Sequence, residues 1–368
     1  MPGTFRARLL AWYDAHARDL PWRQRPSSTK QSSNKQSSTK QSSTKPCDPY
    51  PVWLSEIMLQ QTRVAAVIAH YHEFLRRFPT VEKLARARQP SVLAAWSGLG
   101  YYRRARMLHA AAKVVVRDRD GKFPASADGL RALPGVGRYT AAAIASIAFD
   151  EPVAVVDGNV ERVLQRVSGH YLAGEKFWLA AEKLLDRNRP GDFNQAMMEL
   201  GATVCTPRSP ACLTCPVVEL CATRGELSGG AKPARQKKRE IDYVLDYRGG
   251  AVFLVQRPQD ARLMPGMWEL PQVDAPSEPK AQSNGAGKIA ALKAPRHAKP
   301  APAPEVCITL KHSITVTDYT VRVWRRSAPS HTEGKWIPVE KLPRVALTGL
   351  ARKILRKADI IAGAARRV

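Results

Sequence analysis

Four cysteines within one short stretch constrain this chain more than any other feature. The stretch contains Cys205, Cys212, Cys215 and Cys221, separated by six, two and five residues. Thiolates at this spacing can close around one metal centre, and both zinc and a [4Fe–4S] cluster are compatible with the ligand set. A secreted disulfide framework spreads its cysteines along the chain, whereas the other two here, Cys47 and Cys307, stand alone. The pattern predicts a metal or cluster site in a reducing compartment.

The charge of the chain favours an acidic partner. Its 368 residues carry a formal net charge of +26, and a chain this basic attracts polyanions such as nucleic acid. Basic tails whose role is only to keep the protein soluble would give the same net charge. Arg208 lies between the first two cysteines of the stretch, where a bound metal centre would fix its guanidinium for contact with a phosphate.

The composition excludes several classes of protein. Hydrophobic residues make up 44% of the chain, which excludes global disorder. No apolar run approaches the roughly 18 residues that a transmembrane helix needs, and the segment from Met1 to Arg6 lacks the pattern of a secretory signal. We therefore expect a cytoplasmic protein without a membrane partner.

The length allows two or three domains of about 150 residues, and a change in hydrophobic period predicts two folded domains joined by a linker. Apolar residues recur at helical spacing over 1–25 and 47–224, which predicts a helical domain. The Ser-, Gln- and Lys-rich repeat at 26–46 cannot bury enough apolar surface to fold and predicts a disordered insertion. A basic linker is predicted over 225–240.

After the linker the hydrophobic period changes to two, and the segment 241–350 predicts a smaller α+β domain. Polar and apolar residues alternate on both sides of a Gly-Gly turn within 241–256, which predicts a hairpin. The Ala-, Pro- and Lys-rich residues 275–304 predict a flexible segment. Residues 351–368 are predicted to form a basic C-terminal tail.

Gly135 and Gly137 enclose Val136 directly before an alanine-rich helix. Glycines leave backbone N–H groups unobstructed, and the N-terminus of a helix favours an anion. The motif predicts a phosphate-binding hairpin of the helix–hairpin–helix kind; an ordinary turn between helices is the alternative.

Glu56 and Asp157 are candidate catalytic carboxylates. Glu56 borders the apolar stripe of a predicted helix, and burial without a cationic partner would raise its pKa, as a general acid near neutral pH requires. A solvated glutamate at a helix edge is the alternative. Asp157 is expected to be the N-cap of the next helix. It could also be the anion of a catalytic pair, because cleavage of a glycosidic bond uses one protonated acid and one carboxylate.

Aromatic residues stand beside arginines between Gly98 and Arg106. This combination suits stacking on bases and contact with phosphates. A helix start with a solvated basic face fits the stretch equally well.

Together these motifs resemble one family closely, the adenine DNA glycosylases of the MutY kind in the helix–hairpin–helix superfamily. The resemblance covers nearly the whole helical domain, and it implies a mainly α glycosylase domain with an iron–sulfur loop and a smaller α+β, Nudix-like C-terminal domain. The matching stretches are Leu20–Arg23, Trp53–Thr62, Gly98–Tyr102, Leu133–Gly137, Asp157–Val160, Phe193–Met198 and the four-cysteine loop.

The resemblance implies a monomeric, nucleoid-associated enzyme that removes adenine mispaired with 8-oxoguanine or guanine in double-stranded DNA. The four cysteines would hold a [4Fe–4S] cluster rather than zinc. Glu56 would protonate adenine at N7 and later handle the water, and Asp157 would stabilise the cationic sugar. Tyr139 and Asn159 would shape this site. Relatives of the endonuclease III type have a lysine nucleophile where this chain has Tyr139, so we expect a monofunctional glycosylase. A glycosylase for mispaired thymine or uracil and a non-catalytic iron–sulfur DNA-binding protein are the alternatives.

The resemblance also implies contacts with the duplex. Gln61 and Tyr101 match positions that wedge into DNA, whereas Trp22, Arg23 and Gln195 match positions near the flipped adenine. The expected DNA- and base-binding set is Trp22, Arg23, Gln60, Gln61, Tyr101, Gly135, Val136, Gly137, Gln195, Arg208, His312 and Thr315.

The C-terminal domain resembles the family's Nudix-like module at Arg257-Pro258, at Gly266–Pro271 and near His312. The acidic helix of a Nudix hydrolase is replaced by the Ala-, Pro- and Lys-rich segment, so ligands for a catalytic Mg²⁺ are missing. Recognition of the base opposite adenine is implied instead. Ile314-Thr315-Val316 stands where the family often has Phe-Ser-His, so Thr315 supplies a hydrogen-bond donor and the histidine is absent.

Overall fold

The computed structural model describes residues 2–23, 47–227, 237–273, 306–314 and 317–361. It divides into two compact units, Met1–Ala231 and Lys232–Val368. The predicted insertion at 26–46 and the predicted flexible segment at 275–304 lie outside the described residues. Within the described ranges, no helix is both long and apolar enough to cross a membrane.

The described part of the first unit consists of α-helices and short 3₁₀ turns, as the helical spacing of its apolar residues predicts. Local signals set several helix starts: Asp48 caps α2 ahead of two prolines in its first turn, and Asp157 caps α9. The helices are α1 (Pro2–His16), α2 (Pro49–Leu59), α3 (Val64–Arg77), α4 (Val81–Arg86), α5 (Gln89–Trp96), α6 (Arg103–Arg119), α7 (Ala127–Arg131), α8 (Arg138–Phe149), α9 (Gly158–Ser168), α10 (Glu175–Leu184) and α11 (Pro190–Thr203).

Helix α8 lies against both α2 and α11 and thereby brings their side chains together. Its residues from Thr140 to Ser146 are all buried, and four of them are alanines. Small side chains allow close approach: a Cβ atom at Gly191 of α11 would stand 2.5 Å from the carbonyl oxygen of Ser146. At the other end of α8, Tyr139 contacts Glu56 of α2 and Met198 of α11, so the first turn of α8 lies between these two helices.

The described residues of the second unit form two small sheets and one α-helix. In one sheet the strand order is β5-β1-β7-β6, with β1 parallel to β7 and the other pairs antiparallel; in the other, β3 pairs with β2, β4 and β8. The unit contains β1 (Lys237–Leu245), β2 (Tyr247–Arg248), β3 (Ala251–Gln256), β4 (Trp268–Glu269), β5 (Gln272–Val273), β6 (Val306–Ile314), β7 (Thr317–Arg325), β8 (Lys335–Pro338) and α12 (Gly349–Lys357). The predicted fold class, a helical domain followed by a smaller α+β domain, is confirmed.

Strand β6 is an edge strand of its sheet, and two lysines of α12 donate hydrogen bonds to its backbone. The Lys353 ammonium donates to the carbonyl of Lys311 at 2.7 Å, and the Lys357 ammonium donates to the carbonyl of Thr309 at 2.9 Å. Carbonyls of this terminal strand are therefore already engaged by side chains of the same unit.

Three details differ from the sequence prediction. The predicted hairpin at 241–256 is wrong in its first strand, because β1 joins one sheet and the Gly-Gly turn instead connects β2 to β3 of the other. The predicted linker at 225–240 includes the start of β1 at Lys237. The predicted tail at 351–368 includes most of α12, whose Leu350, Ile354 and Leu355 are buried in the core.

Candidate active site

Glu56 lies in the middle of α2 and is 5% exposed, which confirms the expected burial. Burial raises the pKa of Glu56 to about 7. The Tyr139 hydroxyl, which donates to Oε2 at 2.8 Å, opposes this rise, as does the positive charge of Arg23; the negative charge of Asp157 adds to it. Near neutral pH a large fraction of Glu56 is therefore protonated, which is the state that a general acid needs.

Asp157 is the N-cap of α9, as the sequence predicts. Its Oδ1 accepts hydrogen bonds from the backbone N–H groups of Asn159 at 3.0 Å and Val160 at 2.8 Å, and its Oδ2 accepts one from the Asn159 side-chain amide at 3.0 Å. Since both oxygens are held, the carboxylate has a fixed orientation.

Tyr139, in the first turn of α8, is hydrogen-bonded to Glu56 and lies within the electrostatic influence of Asp157. Its hydroxyl is bonded to Glu56 and also lies 3.2 Å from the sulfur of Met198 on α11. Burial, reinforced by the charges of Glu56 and Asp157, holds the pKa of Tyr139 well above its ordinary value. Tyr139 is therefore a neutral hydrogen-bond donor at physiological pH.

Arg23 lies close enough to Glu56 to affect its pKa, and a buried glutamate holds it in place. Its guanidinium donates to Glu199 at 2.9 Å and stacks over the ring of Tyr13 at 5.5 Å. Arg18 binds Glu199 through two nitrogens, at 2.5 and 2.9 Å. Glu199 and Arg18 were missed by sequence reasoning because they are 181 residues apart and neither stands in a motif. Trp22 is buried and packs edge-on against a tyrosine of α3.

Arg162 connects the start of α9, which Asp157 caps, to the cysteine stretch, and no sequence motif had pointed to it. One nitrogen of its guanidinium donates to the side-chain oxygen of Asn159 at 2.8 Å and to the carbonyl of Gly201 at 2.6 Å. Another nitrogen donates to the carbonyl of Cys205 at 2.7 Å. The amide that holds Asp157 therefore shares a hydrogen-bonding partner with a cysteine of the metal motif.

The four cysteines line one cavity together with apolar side chains such as Val163, Leu200 and Val217. Among the described side chains, no group of three or more His, Cys, Asp or Glu is arranged to hold a single metal ion. Four thiols that line one cavity supply the ligand set that an iron–sulfur cluster uses. Arg208 is exposed in the loop between the first two cysteines.

The glycine hairpin precedes α8 as predicted. Gly135 has φ +75°, and a Cβ atom there would stand 2.4 Å from the Cβ of Met107, so the position requires glycine. Val136 is buried, and Gly137 is the N-cap of α8 with open space around its Cα. The first turn of α8 is fixed to α2 by a 3.1 Å hydrogen bond from the Gln60 amide to the Thr140 hydroxyl.

The remaining predicted site residues lie in different places. Gln61 and Tyr101 are exposed, Tyr101 at 49%. Gln195 is half-buried on α11. His312 lies on β6 in the second unit, and burial, followed by the charge of Lys353, lowers its pKa. Thr315 is outside the described residues.

Comparison with known families defines the class of the protein. The model for HhH-GPD superfamily base excision DNA repair proteins matches residues 54–175. The model for the iron–sulfur binding domain of endonuclease III matches residues 205–221, and a NUDIX domain model matches residues 243–357. The chain is therefore a DNA glycosylase of base-excision repair, its partner is DNA, and its cofactor is a [4Fe–4S] cluster; the iron–sulfur match begins at Cys205 and ends at Cys221.

Whole-chain relatives narrow the assignment. The adenine DNA glycosylase of Homo sapiens is 36% identical to this chain, covering 96% of it and 73% of the human protein. That of Mus musculus is 37% identical, covering 96% of this chain and 77% of the mouse protein. The chain belongs to the adenine DNA glycosylase family. The solved structure of a thermostable thymine-DNA glycosylase is also similar, with a TM-score of 0.52 and 28% identity over 61% of this chain and 96% of that one.

Arg166 leads to a prediction about the cluster. Its guanidinium donates to the sulfur of Cys205 at 3.3 Å and to the carbonyls of Thr206 and Pro207 at 2.7 and 3.0 Å. Arg166→Met is expected to lose cluster colour in air roughly tenfold faster than the unmodified protein, because hydrogen bonds from a charged donor are lost. Visible absorbance and iron content measure the loss. Arg224→Met, at an exposed arginine beside Cys221, is the control, and equal lifetimes of the two variants would contradict the prediction.

Proposed function

We propose that this protein removes adenine mispaired with 8-oxoguanine or guanine by hydrolysing the N-glycosidic bond of a nucleotide flipped out of the duplex. The observation that carries the proposal is the buried Glu56, with a pKa of about 7, in one electrostatic environment with Asp157 and Tyr139. The names of the human and mouse relatives point to the same base. A stacked nucleotide hides its glycosidic bond, so the target must leave the helix.

The chemistry needs one acid, one anion and one water. Protonated Glu56 donates its proton to N7 of adenine, and the bond between C1′ and N9 breaks with its electron pair passing to the base. Asp157, held by Asn159, supports the positive charge of the oxocarbenium-like sugar. Water then adds to C1′, and the Glu56 carboxylate accepts its proton, which regenerates the acid. Tyr139 keeps Glu56 aligned through its hydrogen bond.

The enzyme acts without strand cleavage in this proposal. The hydroxyl of Tyr139 points at Glu56 where endonuclease III-type relatives have a lysine, and a phenol cannot form a Schiff base with the abasic sugar. Borohydride treatment of the reaction is therefore expected to trap no covalent protein–DNA adduct.

Recognition of the duplex is divided among several features. The glycine hairpin before α8 and Arg208 contact phosphates, while Gln61 and Tyr101 enter the base stack. Trp22, Arg23 and Gln195 border the extruded adenine. In the Nudix-like domain, His312 and Thr315 read the base opposite. The protein acts as a monomer, in the cytoplasm and on the nucleoid.

Duplexes that differ in one pair test this proposal. Adenine release from an A:8-oxoguanine or A:G pair, with none from T:G, supports it. Thymine release from T:G would favour a second candidate function, removal of mispaired thymine. The similarity to a solved thymine-DNA glycosylase is the observation that favours this candidate. Binding without release of any base would overturn both.

The pKa of Glu56 gives a prediction about pH. Since burial raises this pKa to about 7 and the protonated form is the active acid, kcat/KM is expected to be maximal below that pH and to fall above it. Tyr139→Phe removes a hydrogen bond that stabilises the carboxylate, so the pKa of Glu56 rises further and the midpoint moves to higher pH. Initial rates at subsaturating duplex measure the midpoint, and a shift to lower pH in the variant would contradict the assignment.

A further inference from the structure

Arg104, in the first turn of α6, extends a half-buried guanidinium between two loops of the first unit. One loop follows α2 and the other precedes α6. Its terminal nitrogens donate to the carbonyls of Ile57 (2.8 Å), Met58 (3.0 Å), Gln60 (2.5 Å), Leu99 (3.2 Å) and Gly100 (3.3 Å), and to the hydroxyl of Thr62 (3.1 Å). The interpretation that the arginines of this stretch contact phosphate is therefore wrong for Arg104.

All of these partners are uncharged oxygens. Burial lowers the pKa of Arg104 to about 10, so the side chain still carries its charge at neutral pH. The carbonyls at the end of α2 are the negative end of the helix dipole, and a cation is favoured there. Arg104 thus closes the C-terminal end of the helix that carries Glu56.

The two loops present the two exposed residues that are proposed to enter the duplex. Gln61 follows the end of α2, and Tyr101 stands directly before the N-cap of α6. Both have left-handed backbone conformations, with φ +54° and +45°. Residues other than glycine rarely adopt this backbone conformation unless their surroundings impose it. The Arg104 guanidinium bonds the carbonyls that precede each of them and also lies over the Tyr101 ring, 5.5 Å from its centre.

We propose that Arg104 is a positioning residue that holds the loops of Gln61 and Tyr101 in one fixed relation, so that both side chains enter the base stack as a unit and the adenine is extruded. The inference rests on the proposed function. It assigns to Arg104 the extrusion of the base and leaves bond cleavage to Glu56 and Asp157.

The geometry explains why arginine is required. A guanidinium is a planar fork whose two terminal nitrogens can reach oxygens on opposite sides, whereas an ammonium is a compact point charge. Lysine at this position would keep the charge and release one of the loops. Arg104→Lys is therefore the informative change, and Arg119→Lys, at an exposed arginine at the other end of α6, is its matched control.

Base extrusion can be measured apart from cleavage. In the full-length Glu56→Gln protein, 2-aminopurine next to the adenine of an A:8-oxoguanine pair becomes fluorescent as the stack opens. Adding Arg104→Lys is expected to lower the fluorescence gain at saturating protein about tenfold, which corresponds to losing part of one base-stacking interaction. Affinity for an undamaged duplex should stay within about threefold, because phosphate contacts dominate it. Tyr101→Ala should give the same pattern.

Other outcomes overturn the proposal. An unchanged fluorescence gain, or an equal loss in Arg119→Lys, would show that Arg104 does not govern extrusion. With Glu56 intact, a shifted pH midpoint in Arg104→Lys would show that it acts on the acid instead. If Arg104→Lys does not fold, Thr62→Val removes a single hydrogen bond of the guanidinium, and a smaller loss of fluorescence in the same direction is expected. Extrusion is read without base release, so absence of adenine release by the unmodified enzyme would count against the proposed function alone.

Discussion

Glu56→Gln is expected to lower the rate of adenine release by a factor on the order of 10³, the middle of the range for a general acid. Glutamine has nearly the same shape and is still able to accept the hydrogen bond from Tyr139, but it has no acidic proton to place on adenine. Single-turnover release from an A:8-oxoguanine duplex measures the change. Binding of the same duplex should be preserved, because affinity for DNA depends mainly on phosphate contacts.

Glu161→Gln is the matched control for this experiment. Glu161 is exposed in the first turn of α9, so the same loss of charge occurs close to the site without touching it. A comparable loss of activity in both variants would show that net charge matters and not the acid at Glu56. A Glu56→Gln protein that retains most of its activity would remove Glu56 from the catalytic role.

Asp157→Asn is expected to lower adenine release by a factor of about 10² to 10³, as the loss of one aligned electrostatic group does elsewhere. Asparagine caps a helix about as well as aspartate, so the free energy of unfolding should change by less than about 1 kcal/mol. The variant keeps the cap and loses the anion that faces the cationic sugar. Single-turnover rates measure the role of Asp157 in catalysis, and urea unfolding measures its role as a helix cap.

The same change at a second helix start is the control. Asp48 caps α2 by accepting a hydrogen bond from the backbone of Tyr50, and Asp48→Asn should leave both stability and activity nearly unchanged. Asp157→Ala should lose about 1 kcal/mol of stability in addition, because the cap is also gone. If Asp157→Asn were as active as the unmodified enzyme, Asp157 would be a cap and nothing more.

Local patterns in the sequence predicted much of this structure. Helical spacing of apolar residues predicted the helices of the first unit. The position of Asp157 before an apolar helix predicted its N-cap, and the apolar stripe beside Glu56 predicted its burial. In each case the residues that form the pattern lie within a few positions of the structure that the pattern predicts. The spacing of the cysteines located the cluster site in the same way.

Contacts between distant residues were not predictable in this way. Glu199 meets Arg18 across 181 residues, and Arg162 meets Cys205 across 43. Strand alternation indicated β1 but could not show which sheet it joins. In α12 the density of arginine and lysine concealed Leu350, Ile354 and Leu355, which pack into the core on the opposite face of the helix.

The two lysines that α12 supplies to β6 have a consequence for solubility at high local concentration. A terminal strand with free carbonyls is a template on which a second chain can add, and such addition propagates into aggregates. Here Lys353 and Lys357 occupy carbonyls of that strand, and their charges repel another basic chain. This edge of the sheet is therefore less available for pairing with a strand of another chain.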